Sequence, residues 1–156
     1  MNNLGRSLSR SVTTKTTSKS DLVAYYEAHL GRLASNFALC SDLSLVLGGR
    51  LKFEEMVSGR LADAFGTLYL GYACLWYYQN NRNVQGIDEV FEMAMESLLQ
   101  QNQNAIRGLS ENFPLPLVGP LMRLLSFPIG SPYAGTFCYF IIFPLFYLPR
   151  LNDPNL

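Results

Sequence analysis

Leu47-Gly48-Gly49-Arg50-Leu51-Lys52, followed by Ser58-Gly59-Arg60-Leu61-Ala62-Asp63 and then Leu68-Tyr69-Leu70, is the stretch on which the fold turns. Ahead of it Tyr26, Leu30, Leu33, Phe37, Cys40, Ser44 and Leu47 recur at steps of three and four. That spacing predicts a helix from about Ser20 to Leu47 with one almost wholly apolar side. Ser20 is its expected N-cap, and Asp21 is placed to favour the helix dipole. Gly48 is expected to end it, because a left-handed backbone costs glycine little. Behind the double glycine, Val57, Leu61, Ala64, Phe65, Leu68, Tyr72, Leu75 and Trp76 predict the buried face of a second helix starting near Leu51. A joint this short between two such helices implies an antiparallel hairpin.

Farther along, Gln79-Asn80-Asn81-Arg82-Asn83 has the composition of a turn. After it Ile87, Phe91, Ala94, Met95, Leu98, Leu99, Asn102, Ile106 and Leu109 mark a third stripe, with Asp88, Glu89 and Glu92 near its start, where anions are favoured. Beyond Phe113 the character changes. All eight prolines lie there, and Arg123 is the only formal charge between Asn112 and Arg150. Leu117, Val118, Leu121, Leu124 and Leu125 predict a short fourth helix whose prolines sit at its start and which Pro128 stops. The expected fold class is therefore all-α: an antiparallel bundle of three long helices and a short fourth, spanning residues 21–133.

The flanks read differently. Residues 1–20 carry Arg6, Arg10, Lys15 and Lys19, no acidic residue and nine Ser or Thr. This is the composition of a disordered basic arm or linker, or of an organelle transit peptide. Residues 134–156 form a hydrophobic, Pro-containing tail. Its run from Phe137 to Leu148 is shorter than the roughly 20 residues of a bilayer span and is broken by Pro144, leaving surface attachment to a membrane, burial in a partner and a true span as its readings.

At 156 residues, 49% hydrophobic and 15% charged, the chain suffices for one sizeable core. Its formal net charge of zero gives no footprint for nucleic acid or for an acidic substrate. Cys40, Cys74 and Cys138 have no paired spacing, which fits reduced thiols inside a cell better than a disulfide framework or a zinc site.

Candidate chemistry is sparse. Glu54 and Glu55 are the available carboxylate bases, but near a helix start they read as solvated dipole partners. His29, the only histidine, leaves no cluster for a metal and is expected on the helix surface. Gly48-Gly49-Arg50 with Lys52 offers backbone N–H groups and cations to a phosphate such as that of CoA, although a C-cap followed by solvated bases explains the same residues. Arg60 and Asp63, three apart, are expected to pair as structural or interface groups. Tyr69, Tyr72, Trp76, Tyr77 and Tyr78 supply the aromatic area of a core or an interface, with no basic cluster beside them to suggest base stacking. No residue is assigned as catalytic, cofactor-binding or metal-ligating.

Several segments together resemble one enzyme family. They are Tyr25-Tyr26 through Leu33, Asn36-Phe37-Ala38-Leu39 with Ser41-Asp42, the double-glycine and Arg60-Leu61-Ala62-Asp63 blocks, Leu68-Tyr69-Leu70, Asn112-Phe113-Pro114, and Phe127-Pro128-Ile129-Gly130 with Tyr133. Over about residues 22–133 they are similar to the C-terminal helical region of the bacterial-type long-chain acyl-CoA dehydrogenases. The resemblance implies a role in fatty-acid β-oxidation, in which FAD takes up the hydride as an acyl-CoA becomes the trans-2-enoyl-CoA. It also implies that the flavin site and catalytic carboxylate belong to domains ahead of this region, so that the chain alone is expected to be inactive and to bind no FAD. The implied partners are a dehydrogenase core or second subunit. A membrane surface is a further candidate, and the expected location is intracellular, cytoplasmic or mitochondrial. The alternative is a small membrane-associated helical interaction protein without an enzymatic role.

Overall fold

A computed structural model describes residues 21–127. The basic arm, the Ser20 cap, the Pro128 stop and the hydrophobic tail lie outside the described residues. Four α-helices follow in order: α1 Leu22–Ser44, α2 Glu55–Asn80, α3 Ile87–Glu111 and α4 Val118–Ser126, with a 3-10 segment Leu45–Phe53 joining α1 to α2. There is no strand among the described residues, and the all-α expectation holds.

Local chemistry accounts for the ends of these helices. Asp21 caps α1: its carboxylate accepts from the N–H groups of Val23 and Ala24, satisfying two donors that the first turn leaves open. At the other end, the Ser44 hydroxyl donates to the Cys40 carbonyl at 2.7 Å, and the chain tightens into the 3-10 segment before Gly48 is reached. Gly48 does adopt positive φ (54°), yet ψ is −131°, so it forms a kink inside the connection instead of a helix cap. The second helix accordingly starts at Glu55, four residues later than the sequence suggests. Gly86, at φ 78°, turns the chain into α3.

The helices run up, down and up. Along α1 and α2, Leu30 lies against Gly71, while Phe37 meets Phe65 nearer the joint, with ring centroids 5.9 Å apart. Along α2 and α3, Tyr78 meets Asp88 and Phe91, Ala64 meets Asn102, and Arg60 meets Gly108. Both pairings are antiparallel. Two stacked apolar clusters result. The first joins Tyr26, Leu30, Leu33, Leu68, Phe91 and Met95 near the α2–α3 turn. The second joins Cys40, Val57, Ala64, Ile106, Leu109 and Met122 at the double-glycine end. Helix α4 closes that second cluster. Asn36 donates to the Ser126 carbonyl at 3.1 Å, and Gly119 is pressed so close to the Ser110 carbonyl that a β-carbon would collide with it.

The predicted face of α2 is displaced. Its buried residues are Val57, Ala64, Leu68, Gly71, Leu75 and Tyr78, whereas Phe65, Tyr72 and Trp76, expected in the core, are exposed. The apolar character of α2 continues nearly all round the helix, so periodicity alone does not select a side. Close approach of the neighbouring backbones selects the side bearing Ala64 and Gly71.

Candidate interaction surface

Helix α2 contains no charged side chain after Asp63, and the next one along the chain is Arg82. Over this interval Tyr69 and Trp76 remain 68% and 66% exposed, and Phe65, Leu70, Tyr72 and Tyr77 are exposed with them. Single exposed apolar side chains are ordinary, but a continuous set on one helix marks a contact surface. Around the helix toward α3 the same surface dips into an open groove of about 440 Å³ lined by Leu70, Ala73, Cys74, Tyr77, Val90 and Ala94. Tyr78 forms part of its floor. This ring stacks on Phe91 at 4.1 Å, lies beneath the Arg82 guanidinium at 5.5 Å, and donates its hydroxyl to Asp88 at 2.8 Å. The hydrogen bond to Asp88 is the main reason that the phenol's pKa is raised.

Two further fronts are apolar and exposed. The corner around Gly48 presents Leu45, Val46, Phe53 and Met56, and α4 with its preceding residue presents Leu117, Leu121 and Leu124 at steps of four and three. Sequence reading did not single out the corner residues. Their only signal is that Leu45 and Val46 fall off the α1 stripe.

The residues weighed for chemistry do not converge. Glu54 lies 3.8 Å from Arg50 in a surface pair, and Glu55 is exposed in the first turn of α2. Gly49, Arg50 and Lys52 are exposed along the 3-10 segment. Arg60 and Asp63 pair at 3.9 Å as expected, but on the surface. A β-carbon at Gly108 would come within 3.1 Å of Arg60 Nε, so the arginine also lies across α3. His29 departs from its expected surface position. It is 8% exposed, packed edge-on against Tyr25 at 4.4 Å, and its pKa is lowered to about 4 by burial first and by the Arg32 charge second. The position follows from the stripe, since His29 stands three after Tyr26 and four before Leu33.

Cys40 is buried and Cys74 half-buried. Burial raises both thiols, partly offset at Cys40 by the Ser126 hydroxyl 3.6 Å away. Among the described residues no group of three or more His, Cys, Asp or Glu is placed to hold a metal ion. Nor does the groove fit a flavin. An isoalloxazine ring and a pyrophosphate require converging hydrogen-bond partners and positive charge, whereas this lining is almost entirely carbon. Within the stretch Leu22–Phe53 an 18-residue window reaches a mean hydropathy of 1.2, which by length and composition alone suffices to cross a membrane. Half of that window is buried in the bundle, where α1 contacts the other three helices.

The fold and its surface define an all-α helical bundle that carries exposed apolar faces. A family model, acyl-CoA dehydrogenase, C-terminal, bacterial type, matches residues 1–136 of the 156. The chain belongs to that family. The match takes in the first twenty residues as well as the bundle. No solved structure matches the chain.

Proposed function

We propose that this chain serves as the helical packing domain of a flavin-dependent acyl-CoA dehydrogenase of fatty-acid β-oxidation, holding the enzyme's core or subunits together while the oxidation occurs elsewhere. One observation carries this reading: a family member of this kind exposes apolar side chains on three fronts, the outer side of α2, the Gly48 corner and α4. In the enzyme, FAD accepts the hydride; this chain's own residues supply contact area and exclude water at the joints. Domain limits of 1–20, 21–133 and 134–156 belong to the same reading.

Co-expression with a flavin-binding dehydrogenase core tests it. The expected result is a stable complex with the yellow core, while the chain alone shows no flavin absorbance and reduces no electron acceptor with palmitoyl-CoA. A flavin spectrum or such turnover from the isolated chain would overturn the proposal.

A second reading, attachment to a membrane surface, is supported by the exposed Leu45, Val46 and Phe53 beside Arg50 and Lys52. Sedimentation with anionic vesicles tests it. Binding should weaken on Phe53→Ser and on deletion of residues 134–156, and binding unchanged by both would remove it.

A further inference from the structure

Seven positions along the outer side of α2 follow one another at steps of four and three: Glu55, Gly59, Ala62, Gly66, Tyr69, Ala73 and Trp76. All lie outside the buried set of that helix. Alternating steps of four and three make the seam of a two-helix coiled coil, and small residues on such a seam let two backbones approach closely. Sizes are unevenly distributed along it. The first half holds Gly59, Ala62 and Gly66, and the second holds Tyr69 and Trp76. A β-carbon added at Gly59 or Gly66 would meet nothing within 4 Å, so the seam is open at both glycines.

We propose that this seam pairs with the same seam of a second copy of the chain, antiparallel about a two-fold axis near Thr67 and Leu68. It rests on the packing role above only in treating the exposed apolar side chains as contact surface. In this register each Tyr69 ring enters the space over Gly66 of the second copy, each Trp76 covers Gly59, and Ala73 faces Ala62. A parallel pair would instead set Tyr69 on Tyr69 and Trp76 on Trp76, leaving the glycines facing one another across a gap.

Charge and area favour the same occupant. Between Asp63 and Arg82 there is no charge to repel its own image. Aromatic side chains present about 200 Å² each, so Phe65, Tyr69, Trp76 and Tyr77 at their observed exposures offer roughly 500 Å² per copy, and the half-exposed aliphatic Leu70 brings this to roughly 600 Å². That approaches the ~800 Å² per partner of a standard stable interface.

Sedimentation velocity of the full chain over a range of micromolar concentrations tests the proposal. A dimer is expected. Gly59→Leu and Gly66→Leu should weaken it about 100-fold by filling the spaces that receive Trp76 and Tyr69, while preserving the fold, because both positions are open and leucine favours helix over glycine. Tyr69→Ala and Trp76→Ala should weaken it comparably, and Leu124→Ser on α4 should leave it intact. A wild-type chain that stays monomeric, or a dimer indifferent to these four seam substitutions, would overturn the proposal. Adding the dehydrogenase core separates this from the packing role. A Gly66→Leu chain that is monomeric but still binds the core supports both. A monomeric wild type whose core binding is lost on Gly66→Leu assigns the seam to the core and refutes self-pairing. A dimer that ignores the core refutes the packing role alone.

Discussion

Leu30 of α1 lies against the bare Cα of Gly71 of α2: a β-carbon there would stand 2.6 Å from Leu30 Cδ2. Leu30 is 1% exposed, so its side chain has little room to give way. This contact brings α1 and α2 together at mid-height and turns the other sides of α2 outward.

Gly71→Ala should therefore destabilise the bundle by about 1 kcal/mol net, the overpacking cost of 1–3 kcal/mol outweighing the gain of roughly 1 kcal/mol in helix propensity. Gly66→Ala, on the same helix but with nothing within 4 Å of its β-carbon, should stabilise by up to about 1 kcal/mol. Thermal or urea unfolding of the two variants, at one protein concentration low enough to keep the chain monomeric, checks the opposite signs.

Asn102 stands on the stripe of α3 among apolar neighbours, and its amide donates to the Ala64 carbonyl at 2.6 Å and to Thr67 Oγ1 at 2.9 Å. Asn102→Ala removes both bonds inside a 1% exposed site and should cost about 1–3 kcal/mol. Thr67→Val leaves the bond to the Ala64 carbonyl and should cost less. Equal losses in urea titrations of the two variants would contradict this ranking.

The imidazole of His29 titrates near 4 in the folded chain against an ordinary 6.5, so between those values the unfolded chain binds more protons. Stability should be full above about pH 6.5, decline as pH falls through that window, and lose no more from this group below about pH 4. The shift corresponds to about 3 kcal/mol at most. His29→Gln should flatten the decline between pH 6.5 and 4, as read by denaturant midpoints across the range.

Asn36 reaches from α1 to the Ser126 carbonyl at the end of α4, with Cys40 Sγ beside the Ser126 hydroxyl. Asn36→Ala should loosen α4 before the hairpin of α2 and α3. Amide exchange over residues 118–126 is expected to accelerate by about 10- to 100-fold, with the amides of α3 around Met95 and Leu99 less affected. Uniform acceleration across all four helices would show that α4 does not open as a local unit.

Helix number, order and approximate limits were legible because the stripes of α1 and α3 each have one clear side, from Tyr26 to Cys40 and from Phe91 to Leu109. The kink at Gly48 was legible as a place but not as a shape. Its positive φ follows from glycine's freedom, whereas the 3-10 tightening from Leu45 onward depends on how the corner closes over Val57 and Leu47. The interaction surface was the least legible part. Phe65, Tyr72 and Trp76 have the spacing of a core face, and their aromatic area is equally suited to an interface, so composition could not separate the two roles.

By itself, the sequence determined an all-α chain with a family-like double-glycine corner, because three- and four-residue periodicity and backbone freedom are local properties. Only the tertiary structure decided which side of α2 is core. That choice depends on how closely neighbouring backbones can approach, and it went to Ala64 and Gly71, whose lack of bulk admits α1 and α3 and leaves Tyr69 and Trp76 facing outward.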